Sequence, residues 1–212
     1  MTSDEPRRVA VVTAGLSQPS SSRLLADRLA AAAERALEQR GSQVKTDVIE
    51  LRTLARELVD NLLTGFPSER LRQAIDSVLA ADALIAVTPI FAASYSGLFK
   101  VFFDVLEVDS LTGKPVLIGA AGGTERHSLA LEHALRPLFG YLRATVVPTA
   151  VYAASSDWGA GEQGEALVRR IERAAGELAV AVGARGPVDR TDPFQEPTPF
   201  EQLLTDGQRS KA

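Results

Sequence analysis

The chain predicts a three-layer α/β/α fold around a five-stranded parallel sheet, and three observations carry that prediction. Apolar runs of strand length recur at Val9–Thr13, Val44–Leu51, Ala83–Thr88, Pro115–Ala120 and Thr145–Val151. Each gap between them holds a segment whose apolar residues follow the helical period, and strands that alternate with helices form parallel sheets. Runs such as Leu84-Ile-Ala-Val87 are apolar at every position, as expected of a sheet covered on both faces by right-handed crossovers.

Taken in chain order, the first strand gives way to a helix over Ser22–Gln39, marked by Leu25, Leu29, Ala32, Ala33 and Ala36. Between the second and third strands, Arg52–Pro67 reads as an ambiguous helix and loop. Glu69–Ala80 is a helix with Leu71, Ile75, Val78 and Leu79 on one face. Further helices are predicted at Gly97–Leu106, Ser128–Leu142 and Gln163–Val182. From Gly183 onward the pattern ends, with prolines at 187, 193, 197 and 199 and no periodic apolar face. Residues 1–185 are therefore expected to form one domain and 186–212 a proline-rich tail. Phe194, Phe200, Leu203 and Leu204 favour a docked tail, while the general fraying of termini favours a disordered one.

At 212 residues the chain suits a single buried core. Hydrophobic residues at 45% and charged residues at 24% exclude a disordered chain, and no run reaches the roughly 20 apolar residues of a spanning helix. The polar start Met1-Thr-Ser-Asp-Glu-Pro-Arg-Arg has no secretory apolar segment, which makes the cytoplasm the default location. With no cysteine, disulfides, thiolate nucleophiles and cysteine metal sites are excluded, so redox chemistry would need a cofactor. The net charge of −4, without a basic stripe, argues against nucleic acid.

Ligands of open α/β sheets sit beyond the carboxyl ends of the strands. That rule selects three loops. The first, Gly15-Leu-Ser-Gln-Pro-Ser-Ser-Ser-Arg23, joins a strand to a helix start, where free N–H groups and the helix dipole favour an anion. Ser17, Ser20, Ser21 and Ser22 add hydroxyls and Arg23 a cation, although any one serine could equally be a helix cap. The second, Thr88-Pro-Ile-Phe-Ala-Ala-Ser-Tyr-Ser-Gly97, brings Pro89, Phe91 and Tyr95 to the sheet edge, either for a planar ring or as cover for the next helix. The third, Ala120-Ala-Gly-Gly-Thr-Glu-Arg-His127, has Gly122 and Gly123 where backbone can approach a ligand. The triphosphate-loop, dinucleotide and nucleophile-elbow patterns are missing, and His127 and His133 do not have zinc-site spacing.

Together these loops resemble those of the flavodoxin-like NAD(P)H-dependent FMN reductases over about residues 8–182. The most specific parts are Thr88-Pro-Ile-Phe-Ala-Ala-Ser-Tyr-Ser-Gly-Leu-Phe-Lys100, Leu111-Thr-Gly-Lys-Pro-Val116, Gly122-Gly-Thr124 and Ala134-Leu-Arg-Pro137. The nearest likeness is to the branch that supplies reduced flavin to two-component monooxygenases of the alkanesulfonate and luciferase-like type. The resemblance implies FMN as flavin, NADPH or NADH as hydride donor, and a monooxygenase partner, while the apolar residues of Gly97–Leu106, Ser128–Leu142 and the Phe194/Phe200 tail exceed what one small sheet needs to cover and predict a homodimer or homotetramer. The resemblance also implies that Ser17, Ser20, Ser22 and Arg23 hold the FMN phosphate. Pro89, Ile90, Phe91 and Tyr95 would line the isoalloxazine, with Gly122, Gly123 and Thr124 at its pyrimidine edge. No catalytic side chain and no metal are implied. Many relatives carry an arginine inside the phosphate loop, where this chain has Ser17 and Pro19. In one branch, the helix matching the one that carries His133 is widened by one inserted residue at a subunit contact, and the sequence leaves both geometries open. Two rivals share the fold: a quinone or azo-dye reductase that retains FMN, and a flavin-binding electron carrier without nicotinamide turnover.

Overall fold

The structure, a computed structural model, describes residues 5–159 and 161–185. The expected tail, including Phe194 and Phe200, lies outside the described residues. The strands are β1 (Arg7–Thr13), β2 (Val44–Glu50), β3 (Ala83–Phe91), β4 (Ser94–Tyr95), β5 (Pro115–Gly122), β6 (Thr145–Val146) and β7 (Val151–Ala154). The helices are α1 (Ser21–Glu38), α2 (Ala55–Thr64), α3 (Glu69–Ala80), α4 (Gly97–Asp104), α5 (Arg136–Tyr141) and α6 (Glu162–Arg185). The parallel order is β2-β1-β3-β5, with β6 and β7 both pairing the far side of β5.

Alternation along each strand sorts the core into two layers. Val9, Val11, Ile85, Val87, Leu117 and Val151 pack against Leu25 and Leu29 of α1 and Leu167 and Leu178 of α6. Ala10, Val12, Leu84, Ala86 and Ile118 face the other layer, where α4 and α5 contribute Phe99, Phe102, Phe103 and Phe139. Those rings meet edge to face or tilted at centroid distances of 4.8–6.3 Å. The three-layer expectation therefore holds, and strand and helix alternation places every β-to-α loop at one edge.

Three elements differ from the sequence expectation, each for a local reason. The predicted fifth strand over 145–151 is split, because Pro148 has no N–H to give the ladder. Side chains satisfy the interruption: Arg136 donates to the carbonyls of Val147 and Pro148 at 3.1 and 3.0 Å, and Glu177 accepts from the Thr149 amide and hydroxyl at 2.6 and 2.7 Å. The predicted helix over 128–142 becomes a π-helical turn at Leu131–Leu135 followed by α5. Arg136 N–H bonds the Leu131 carbonyl five residues back. Pro137 explains the widening, since its ring clashes with the carbonyl four residues before it, that of His133, in a regular α-helix. The ambiguous 52–67 stretch folds as one 3₁₀ turn, Leu51–Leu54, and α2, which Gly65 ends in the left-handed conformation at φ 77°.

Lys114 is 2% exposed, and its Nζ donates to the Leu79 carbonyl at 3.1 Å and to the Ala81 carbonyl. It thus ties the C-terminus of α3, where the dipole favours a cation, to the start of β5. Lys114→Met removes this charged donor from two carbonyls and is expected to lower unfolding free energy by about 2 kcal/mol. The urea midpoint measures it.

Candidate active site

The loop after β1 closes on itself through a serine. Ser20 is extended at φ −122° and ψ 124°, and its Oγ accepts from the Arg23 N–H at 3.2 Å, capping α1. A Cβ on Gly15 would overlap that same Oγ, so only glycine lets the loop turn this tightly. Ser22 is 1% exposed, and no acidic residue lies in the first turn of α1 to neutralise its free N–H groups. The Gln18–Pro19 peptide is cis.

Arg23 points elsewhere. Its Nε donates to Asp27 at 2.8 Å and its NH1 to Glu50 at 2.5 Å. The hydrogen bond to Asp27, with the negative charges of Asp27 and Glu50, holds the guanidinium pKa above its ordinary value. Both neighbours compete for the charge that the sequence offered to a phosphate.

The second loop is a hairpin that the sequence did not reveal. β3 continues past Pro89 to Phe91, and β4 returns antiparallel, Ile90 opposite Tyr95 and Phe91 opposite Ser94. Pro89 is tolerated because β1 pairs only as far as Val87, which leaves no strand on that edge to accept a donor. Ala92 and Ala93 make the turn at φ 46° and 66°, the left-handed pair a two-residue hairpin requires. Thr88 Oγ1 accepts from the Ser96 N–H at 3.0 Å and Ser96 Oγ from the Phe99 N–H at 3.3 Å, which pins both ends of the hairpin to α4. Phe91 is 49% exposed. Tyr95 instead packs towards the core, its ring 5.9 Å from that of Phe99.

The third loop leaves β5 at Gly122. A Cβ at Gly122 would overlap the Tyr152 hydroxyl, whereas one at Gly123 would meet nothing within 4 Å. Tyr152 donates to the Thr124 carbonyl at 2.7 Å, and Thr124 Oγ1 accepts from the Arg126 N–H at 3.4 Å.

The three loops meet in one cleft of about 360 Å³. Ser17, Ser20 and Ser22 line one end, Pro89, Ile90 and Phe91 one wall, and Gly122 and Gly123 the edge. Arg23, Tyr95 and Thr124 do not line it. Ser21 and Ser155 do, and Tyr152 supports it from behind. Ser155 and Tyr152 fall outside the sequence expectation because the fifth strand is expected to end at Val151, whereas β7 runs to Ala154; the carboxyl-end rule applied to that strand points to 152–157. Among the described residues, none that lines the cleft has an ionisable side chain, and no group of three acidic or histidine side chains could hold a metal.

A second opening of about 440 Å³ is lined by Arg28, Trp158, Glu165, Val168 and Arg169. There Arg28 sits 5.1 Å over the Trp158 ring and Arg169 pairs with Glu165 at 3.5 Å, so its cations already have partners.

The residues of the first cleft suit a flat phosphorylated ring. One end offers hydroxyls and uncompensated helix N–H groups, the middle an exposed aromatic and aliphatic wall, and the far edge a glycine where a Cβ would meet none of the described residues within 4 Å. That set fits FMN. Among the described residues the lining offers serine hydroxyls but no ionisable side chain to act as acid or base, so positioning and backbone electrostatics are the protein's contribution.

Strand order and a cleft built from carboxyl-end loops place the protein in the flavodoxin-like α/β class. The family model for NADPH-dependent FMN reductase matches residues 7–159, and the chain belongs to that family. It is 36% identical over 181 residues to an FMN reductase (NADPH) of Pseudomonas aeruginosa, covering 85% of this chain and 95% of the relative. It is 35% identical over 175 residues to the NADH-dependent FMN reductase SfnE of Pseudomonas putida, covering 82% and 91%. Among solved structures, an oxidoreductase from Corynebacterium diphtheriae superposes with a TM-score of 0.83 at 45% identity, covering 85% of this chain and 99% of that one. The protein is an oxidoreductase of the FMN reductase type that uses a reduced nicotinamide nucleotide.

Proposed function

We propose that the three-loop cleft is where this reductase binds FMN, with the phosphate at the serine loop and the ring between the hairpin and Gly123. The observation that carries the reading is the convergence of anion seat, exposed apolar wall and open glycine edge in one cleft without ionisable side chains. Bound there, the flavin supplies the hydride-accepting chemistry. The chain holds the phosphate through Ser17, Ser20, Ser22 and the first N–H groups of α1. Pro89, Ile90 and Phe91 keep water from one face of the ring, and the backbone of 122–124 offers dipoles to its polar edge, where negative charge grows on reduction.

Steady-state oxidation of NADPH and of NADH, with FMN, FAD or riboflavin added, tests this. FMN-dependent turnover with FMN held more tightly than riboflavin is expected, because the serine loop rewards only a phosphorylated flavin. Equal affinity for FMN and riboflavin would overturn the phosphate seat. The donor enters this proposal as NADPH or NADH alike, since one of the relatives above is named for each.

We extend the reading to residues 1–185 as the reductase domain with 186–212 as an appended tail, to a cytoplasmic protein, and to a flavin-dependent monooxygenase as recipient of reduced FMN. Among the described residues no helix is long and apolar enough to cross a membrane. A homodimer or homotetramer is supported by Leu16 and Phe91 at the cleft and by Leu129 and Tyr141 around the π-helical turn, all exposed. Self-association is the common way to cover such side chains. Light scattering over a dilution series should give a mass of two or four chains; a fully active particle at the 22.6 kDa of one chain would refute the assembly.

A further inference from the structure

We propose that Tyr152 is a positioning residue that holds the glycine loop, residues 122–124, in the shape that meets the flavin ring. The inference rests on the placement of FMN argued above and concerns one end of that site.

Tyr152 stands on β7 opposite Ala120 of β5, is 5% exposed, and reaches the Thr124 carbonyl at 2.7 Å. That bond fixes the Thr124–Glu125 peptide plane directly after the two glycines. Burial, and then the negative charges of Asp157 and Glu125, push the phenol pKa up, so the hydroxyl stays a donor across the neutral range. The space it needs is the space a side chain at residue 122 would take: a Cβ there falls on the hydroxyl oxygen and lies 3.2 Å from the ring carbon that bears it. A side chain at 122 therefore competes for the space of the hydroxyl that reaches Thr124. The adjacent glycine has no such neighbour. The two consecutive glycines thus serve different ends, Gly122 making room for the tyrosine strut and Gly123 for the ligand.

The test is a double-mutant cycle of Tyr152→Phe and Gly122→Ala, with Ser22→Ala as the reference at the phosphate end. Dissociation constants for FMN and riboflavin are read from quenching of flavin fluorescence, and the melting midpoint is taken without flavin. Tyr152→Phe keeps the ring and removes one hydrogen bond, so it should weaken FMN and riboflavin by the same factor, roughly three- to tenfold. Ser22→Ala should weaken FMN alone. Gly122→Ala should cost less in the Tyr152→Phe background than in the parent, because the oxygen it collides with is gone.

A Tyr152→Phe protein that binds both flavins like the parent overturns the proposal, and a lowered melting point beside unchanged affinity would reduce Tyr152 to a core residue. Strictly additive costs in the cycle would refute the steric link between Gly122 and the hydroxyl. If Gly122→Ala does not fold, Tyr152→Phe decides alone. Unchanged FMN affinity in both Ser22→Ala and Tyr152→Phe would refute the cleft itself, whereas an effect in Ser22→Ala only refutes the strut and spares the cleft.

Discussion

Gly123→Leu is expected to abolish measurable FMN turnover while the protein melts like its parent. The loop at Gly123 borders the cleft, and a Cβ there would meet none of the described residues within 4 Å. No positive φ is required of the residue, so a side chain can be added without backbone strain. The fold therefore has no stake in the substitution, and surface changes of this kind usually alter stability by less than about 0.5 kcal/mol. The leucine side chain would instead project into the volume assigned to the flavin ring. Loss of at least about 2.7 kcal/mol of binding, a hundredfold in Kd, is the expected scale for filling a ligand's place with four carbons. Fluorescence titration with FMN and a thermal melt without flavin give the two readouts. A variant that binds FMN normally would show that the ring lies elsewhere; one that unfolds would show that the open space belongs to the core.

The fold was legible in the sequence because β1, β3 and β5 hold runs of consecutive apolar residues and the helices keep their period; α3 spans the predicted Glu69–Ala80 and α1 is displaced by one residue. What escaped was set by proline and by tertiary partners. Pro148 and Pro137 each remove one backbone donor, but whether the chain breaks, widens or bends there depends on what satisfies the groups left over. Arg136 and Glu177 do so at the split strand, and neither is near it in sequence by any local rule. The hairpin at Ala92 and Ala93 was invisible for the opposite reason, since alanine gives no sign of the left-handed turn that Thr88 and Ser96 enforce from outside. In the site, residue types were readable and directions were not. The serine loop, the aromatic loop and the glycine loop do meet in one cleft as the carboxyl-end rule expects, yet Arg23 faces Glu50 from the neighbouring strand, a partner 27 residues away. Tyr152 lay one residue beyond the expected end of its strand.

Ser20→Asp is expected to separate the two duties that Ser20 performs. Its Oγ already accepts the Arg23 N–H, which leaves the hydroxyl proton to donate into the cleft. Aspartate is as good a helix cap as serine, and its charge suits the N-terminus of α1, so the variant should melt at or above the parent temperature. For FMN the result reverses. A carboxylate about 4 Å from a phosphate interacts unfavourably by roughly 4 kcal/mol per pair of unit charges at an effective dielectric of about 20, enough for a loss of a hundredfold or more in affinity. Riboflavin, which carries no phosphate, should bind nearly as before, and added salt should recover part of the FMN affinity. Arg23→Ala provides the contrast. With its guanidinium committed to Asp27 and Glu50, it should change FMN binding by no more than about threefold, the scale of an exposed ion pair. Titrating both flavins against both variants reads the outcome directly. If Ser20→Asp weakens FMN and riboflavin alike, the phosphate does not sit on α1, and if Arg23→Ala proves the more damaging change, the arginine turns from its carboxylates to the flavin when the ligand binds.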